Sequence, residues 1–250
     1  MADLVAGGAA ELENSSIIGR LLEEISWEGN AKKYHDGGRG KENVLTAEVF
    51  YPLDFLPRTA FLGEIIAGAH GADAARRRVI AEVEEVILSV LPGDVPLANS
   101  TIRVQPDAVL TSASTYTLVE AKRILPSTFQ TDQLARELIA TVQQAGARVA
   151  LLLVILGSPP PVRVAKIPGR VNLEDAIKQR LDKVDAWSGA TLRAEDLISR
   201  VPETLAWTTW SEIRDALAAN RLRFSNAPEG LGSSVARLCD AAITAINWHG

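Results

Sequence analysis

The run Val149-Ala-Leu-Leu-Leu-Val-Ile-Leu156 carries no polar side chain from end to end. A strand with one face in water alternates apolar and polar residues, whereas a strand covered on both faces is apolar throughout. The run is of strand length and far too short for a membrane-spanning helix, which needs about 20 apolar residues. Other parts of the chain must therefore cover both of its faces. At 250 residues and 47% hydrophobic, the chain is long enough for one substantial core with an appended lobe.

Two apolar segments precede this run. Thr101-Ile-Arg-Val-Gln-Pro-Asp107-Ala-Val-Leu110 and Thr115-Tyr-Thr-Leu-Val-Glu120-Ala-Lys122 are rich in β-branched and aromatic residues, and Thr111-Ser-Ala-Ser114 between them reads as a turn. The pattern predicts a hairpin. Side chains alternate along a strand, so Leu118, Glu120 and Lys122 share one face while Thr117, Val119 and Ala121 share the other. The Val119 and Ala121 side can enter a core, leaving Glu120 and Lys122 adjacent at the strand's polar end. Asp107, on the partner strand, comes within reach of Glu120 in the right register.

Two close carboxylates repel unless one is protonated or a cation lies between them. A hard divalent ion such as Mg²⁺ takes oxygen ligands and is often held by one or two carboxylates plus substrate phosphates. Such an ion acidifies a bound water and neutralises charge on a phosphate. An ammonium two residues from the ligand can stabilise developing negative charge. Asp, a gap, then Glu-x-Lys is a weak string alone, but Lys122 is the only lysine in the sequence with an acid two positions before it. The bland alternative is a surface hairpin with an ordinary Glu and Lys on its solvated face.

Pro106-Asp107 and Glu120-Ala121-Lys122 resemble the two halves of the PD-(D/E)XK motif, and the segment from about 41 to 156 resembles that nuclease superfamily. The resemblance implies an α/β, restriction-endonuclease-like three-layer core, a central mixed sheet flanked by helices, with helical N- and C-terminal additions (1–40 and 170–250) on one 1–250 domain. It implies that Asp107 and Glu120 bind Mg²⁺ or Mn²⁺, that the Ala121 carbonyl completes the shell, and that Lys122 serves catalysis. Strand, strand, helix, buried strand is the order of that core, and Ser127 to Val142 supplies the helical periodicity through Leu134, Leu138, Ile139 and Val142. Gln130, Gln133 and Glu137 line one face of it. Some members carry Gln-Leu-x-x-Tyr here; this chain has Gln133-Leu134 but Glu137 at the tyrosine position, so Gln133 joins the expected site and Glu137 ranks below it. An acidic residue on an earlier helix is common in the superfamily, and Glu42, near a helix start where a carboxylate also gains from the helix dipole, is preferred to Glu48 and Glu64.

The resemblance implies a metal-dependent DNA endonuclease, with RNA as the secondary substrate; the alternative is a catalytically silent subunit that binds nucleic acid or a protein. The net charge of −5 sits awkwardly with nucleic-acid binding. It fits an enzyme that relies on a homodimer or partner subunit to build its groove. Arg76-Arg77-Arg78 is the densest basic cluster, and Lys32-Lys33, Arg39 and Lys41 form another; such runs are usually solvated faces.

Other chemistries find little support. The single Cys239 argues against a disulfide framework or a cysteine zinc site, and His35, His70 and His249 are scattered. Gly-x-Ser-x-Gly and a Walker-type loop are absent. The N-terminus lacks a secretion-signal pattern, so the expected location is the cytoplasm, with no membrane partner. Helices are further expected at about 11–27, 41–52, 58–69, 72–91, 172–187, 194–200, 211–219 and 233–248. Strands are expected at 162–166 and 205–210, with Ser211 as a helix cap and Trp207 and Trp210 in the core.

Overall fold

The structure, a computed structural model, describes residues 40–98, 100–125, 127–183 and 192–250, without the side chains of residues 40–42 and 229. The helix expected at 11–27, Lys32-Lys33 and Arg39 lie outside the described residues.

A five-stranded mixed sheet forms the centre, in the order β1 (Ile87–Val90), β4 (Ala108–Thr111), β5 (Thr115–Ala121), β7 (Val149–Leu156), β9 (Leu205–Thr209). The β1–β4 and β4–β5 pairs are antiparallel, and the β5–β7 and β7–β9 pairs are parallel. Parallel neighbours need a crossover, and helix α4 (Gln133–Ala145) supplies it between β5 and β7. Every residue of β7 except Val149 is buried, as a strand covered on both sides must be.

One face of the sheet, through Ala108, Leu110, Val119, Ala121, Leu151, Leu153 and Ile155, packs on four helices. These are α1 (Gly40–Phe55), α3 (Asp73–Ala81), α7 (Trp210–Arg223) and α8 (Glu229–His249), with the short α2 (Glu64–Gly68) alongside. The other face, through Tyr116, Leu118, Leu152 and Val154, packs on α4, α5 (Leu173–Lys178) and α6 (Ala194–Thr204). The result is helix, sheet, helix.

Several expected boundaries move, each for a local reason. The helix expected over 72–91 stops at Ala81; a 3-10 turn follows at Val83–Glu85, and Ile87–Val90 becomes edge strand β1. Glu82 sits at the break with φ −116° and ψ 13°. Its carboxylate accepts from the Ser112 and Ser114 hydroxyls of the β4–β5 turn, which fastens that turn to the helix end and holds the carboxyl below its usual range. The first arm of the hairpin is only Ala108–Thr111, because Pro106 has no N–H to give the ladder. Arg103–Val104 (β3) pairs instead with Val95–Pro96 (β2) in a separate ribbon. The helix expected from Ser127 begins at Gln133, with no side-chain cap; Thr128–Phe129 (β6) pairs in parallel with Arg163–Val164 (β8). At the C-terminal end, Thr209 rather than Ser211 is the cap. Its Oγ1 accepts from the Glu212 N–H at 3.2 Å while the Glu212 carboxylate accepts from the Thr209 N–H at 2.7 Å, a capping box.

Among the described residues no helix is long and apolar enough to cross a membrane.

Candidate active site

β5 is buried along its whole length, and its last two steps carry the site. Strand alternation sends Leu118 into the α4-side core and Val119 and Ala121 into the opposite one. Glu120 therefore emerges on the α4 side, as the pattern predicts, and meets that helix: the Gln133 amide donates Nε2–H to Glu120 Oε1 at 2.6 Å. Lys122 Nζ donates to the same oxygen at 2.7 Å. The ammonium also lies 5.0 Å from the centre of the Phe129 ring, where the ring face favours a cation. The Gln133 carbonyl oxygen accepts from the Gln130 N–H at 3.3 Å, which fixes the direction of the amide.

Asp107 arrives from the other strand. Ala108 pairs with Val119, yet the Asp107 N–H also donates to the Val119 carbonyl, at 3.1 Å. Two residues of one strand facing one of its partner is a β-bulge, a device that re-aims a side chain. The turned Asp107 carboxylate accepts from the Ala121 N–H, with Oδ2 at 2.7 Å. In a strand, the N–H and C=O of one residue leave by the same edge, so the Ala121 carbonyl also faces Asp107. The Lys122 N–H leaves by the opposite edge, to the Ile155 carbonyl at 2.7 Å. Behind it the Lys122 carbonyl accepts from the indole N–H of Trp210, at 2.6 Å. Trp210 is fully buried, so the core anchors the backbone at Lys122.

Glu120, Lys122 and Asp107 are only 4%, 7% and 8% exposed. Charged groups this deep are costly unless paired and hydrogen-bonded. Glu120 and Lys122 pair with each other, and Asp107 uses a backbone amide.

Glu137 lies one helical turn beyond Gln133, and its buried carboxyl neighbours Glu120 and Gln133. Burial pushes its carboxyl well above the usual range, the Glu120 charge pushes it further, and Lys122 opposes both. Its Oε2 is buried with no hydrogen-bonding partner among the described residues. The signal was present: positions 133 and 137 are i and i+4 on a helix, hence neighbours.

The expected acids on earlier helices fare differently. Glu42 begins α1, but its side chain lies outside the described residues. The Glu48 carboxylate is 3.3 Å from His249 Nε2 at the end of α8, both side chains being buried. Glu64 forms an ion pair with Arg223 at 3.5 Å and belongs to the surface. Of the arginine cluster, Arg76 ends α2, donating to the Ile66, Ala67 and Gly71 carbonyls, and Arg78 pairs with Glu82 at 2.8 Å. Those two hold the fold together.

Among the described residues no group of three or more His, Cys, Asp or Glu side chains gathers to hold a metal ion. What the site offers instead is two carboxylates and a main-chain carbonyl: Asp107, Glu120 and Ala121. All three donors are hard oxygens, the set a Mg²⁺ or Mn²⁺ ion accepts when water and substrate supply the rest. Comparison of the chain with family models, with curated proteins and with solved structures found no match.

Proposed function

We propose that the chain is a metal-dependent nuclease with a restriction-endonuclease-like PD-(D/E)XK core, cutting DNA internally. The observation that carries this reading is a buried carboxylate–ammonium pair at the end of β5, with a second carboxylate turned onto the same strand end by a bulge. A structural core has little use for such a group of charges, since well-packed apolar residues often serve as well or better. Perturbed, buried ionisable groups in one cluster are instead a mark of chemistry.

Asp107, Glu120 and the Ala121 carbonyl would hold Mg²⁺ or Mn²⁺. Bound there, the ion supplies Lewis acidity toward a phosphodiester. The protein's own part is preorganisation. Gln133 sets the direction of the Glu120 carboxylate, and the Ala121 N–H sets that of Asp107. Lys122, fixed between Glu120 and Phe129, offers a cation to the negative charge that grows on the phosphate oxygens. Burial and the Glu120 charge raise the Glu137 carboxyl, which lessens the repulsion it would add beside Glu120. By family analogy alone, the setting is defence against foreign DNA.

One observation favours a second reading. The Glu120 oxygen bonded to Lys122 and Gln133 is satisfied by protein groups, as it would be in a silent subunit that keeps the fold for binding. Activity separates the two. Plasmid, linear and single-stranded DNA, and RNA, are incubated with Mg²⁺, Mn²⁺ or EDTA, using wild type, Glu120→Ala and Lys122→Ala. The nuclease reading expects metal-dependent cutting of plasmid that falls at least about a hundredfold in either variant, on the scale of losing one charge-stabilising group. Cutting that survives EDTA or Glu120→Ala contradicts it.

A further inference from the structure

Past the ends of β5 and β7 the chain forms a cleft of about 130 Å³ beside the site. Its floor includes the buried rings and side chains of Phe129 and Leu156, and its rim carries Arg123, Arg163, Arg170 and the hydroxyl residue Ser158. Phe129 is shared: one neighbour is Lys122, and the ring also lines the cleft. The cleft thus adjoins the catalytic lysine and continues from it. It lies outside the carboxyl ends of parallel strands, where open α/β sheets bind ligands.

Two of these arginines, Arg163 and Arg170, differ from those that pair within the fold. Arg58, Arg76, Arg78, Arg214, Arg221 and Arg223 all have carboxylate partners. Among the described residues Arg163 and Arg170 have no hydrogen bond or ion pair from their guanidinium groups, and both are exposed at the rim. Two unpaired guanidinium forks around one concavity match an anion with several oxygens, and phosphate is the group that arginine forks bind best. Size agrees, since a cavity of about 150 Å³ takes a benzene ring and this one is a little smaller. It has room for a phosphate.

We propose that this cleft is a phosphate subsite, holding through Arg163 and Arg170 a phosphate of the DNA strand next to the one that meets Lys122. The assignment of that strand as substrate rests on the nuclease reading; the anion site itself does not. The phosphate is either an internal diester or a terminal monoester, and the test tells them apart.

Binding of the full-length protein to labelled DNA is measured in EDTA across a salt series, for wild type, Glu120→Gln and the double variant Arg163→Gln/Arg170→Gln. The strands carry a 5′-phosphate, a 3′-phosphate or hydroxyl ends, and one is circular. The expected result is about a tenfold loss of affinity in the double variant, with the slope of log affinity against log salt reduced by about two, one per lost phosphate contact. Equal losses on circular and linear strands identify an internal phosphate. A loss confined to one phosphorylated end identifies a terminal one. Unchanged affinity and slope, or no binding by wild type, overturns the subsite. Arginine-dependent binding by a protein that never cuts upholds the subsite and removes the nuclease reading. Cutting with arginine-independent binding does the reverse.

Discussion

At the scale of single residues, the site is a problem in charge accounting. Glu120 lies beside a second buried carboxyl, Glu137, and Lys122 is the cation bonded to Glu120, while Asp107 accepts from the Ala121 N–H on the same strand end. Burial and the neighbouring Glu120 charge raise the Glu137 carboxyl well above its ordinary range. Its folded-state affinity for a proton is raised above the unfolded one, so its contribution to stability is fully present below the ordinary glutamate range. That contribution is lost as pH rises through the raised value, because the unfolded chain releases the proton first. Glu137→Gln keeps the hydrogen-bonding shape without the titration. Urea unfolding over a pH series should therefore show wild type losing stability on the alkaline side of the glutamate range while the variant's curve is flatter there. Parallel curves would mean that Glu137 is ionised in the native protein.

At the scale of elements, the site depends on two strand exits lying against each other. A Cβ on Gly157 would fall 2.2 Å from the Ile124 carbonyl oxygen and 2.5 Å from that of Arg123. The chain leaving β7 thus touches the chain leaving β5 just beyond Lys122. Gly157→Ala must push these backbones apart, at a cost of about 1–3 kcal/mol typical of overpacking. A lower midpoint in denaturant at unchanged m-value checks this; a variant as stable as wild type would show that the contact is soft. Much of this layer was legible in the sequence. β7 was, because burial on both faces leaves an uninterrupted apolar run, and so was the facing of Glu120 and Lys122, because strand parity is strict. β1 was not: Val86 to Val90 continues a helical stretch without a breaker, and as an edge strand it leaves Ile87 66% exposed. β6 and β8 are too short to leave a periodic signal. The bulge at Asp107 was also hidden, since it is a matter of pairing between strands and not of either strand's composition. Glu137 was visible by spacing and undervalued because a family pattern has tyrosine there.

At the scale of the whole molecule, a net charge of −5 and a nucleic-acid substrate are compatible only if cations are concentrated where phosphate lies. Among the described residues nine arginines pair with carboxylates, while Arg163 and Arg170 stand at the cleft beside the buried pair. The layered α/β/α arrangement brings carboxylate and lysine to the carboxyl end of the sheet's central strand and arginines to the loops beyond it. Under the proposed function, Asp107 and Glu120 share one divalent cation. Calorimetric titration of Mn²⁺ into wild type, Asp107→Asn and Glu120→Gln tests it without any need for a substrate. The account predicts one ion per chain for wild type and loss of that binding in either variant, with both variants still folded. An absence of binding in wild type, or binding that survives both substitutions, would contradict it.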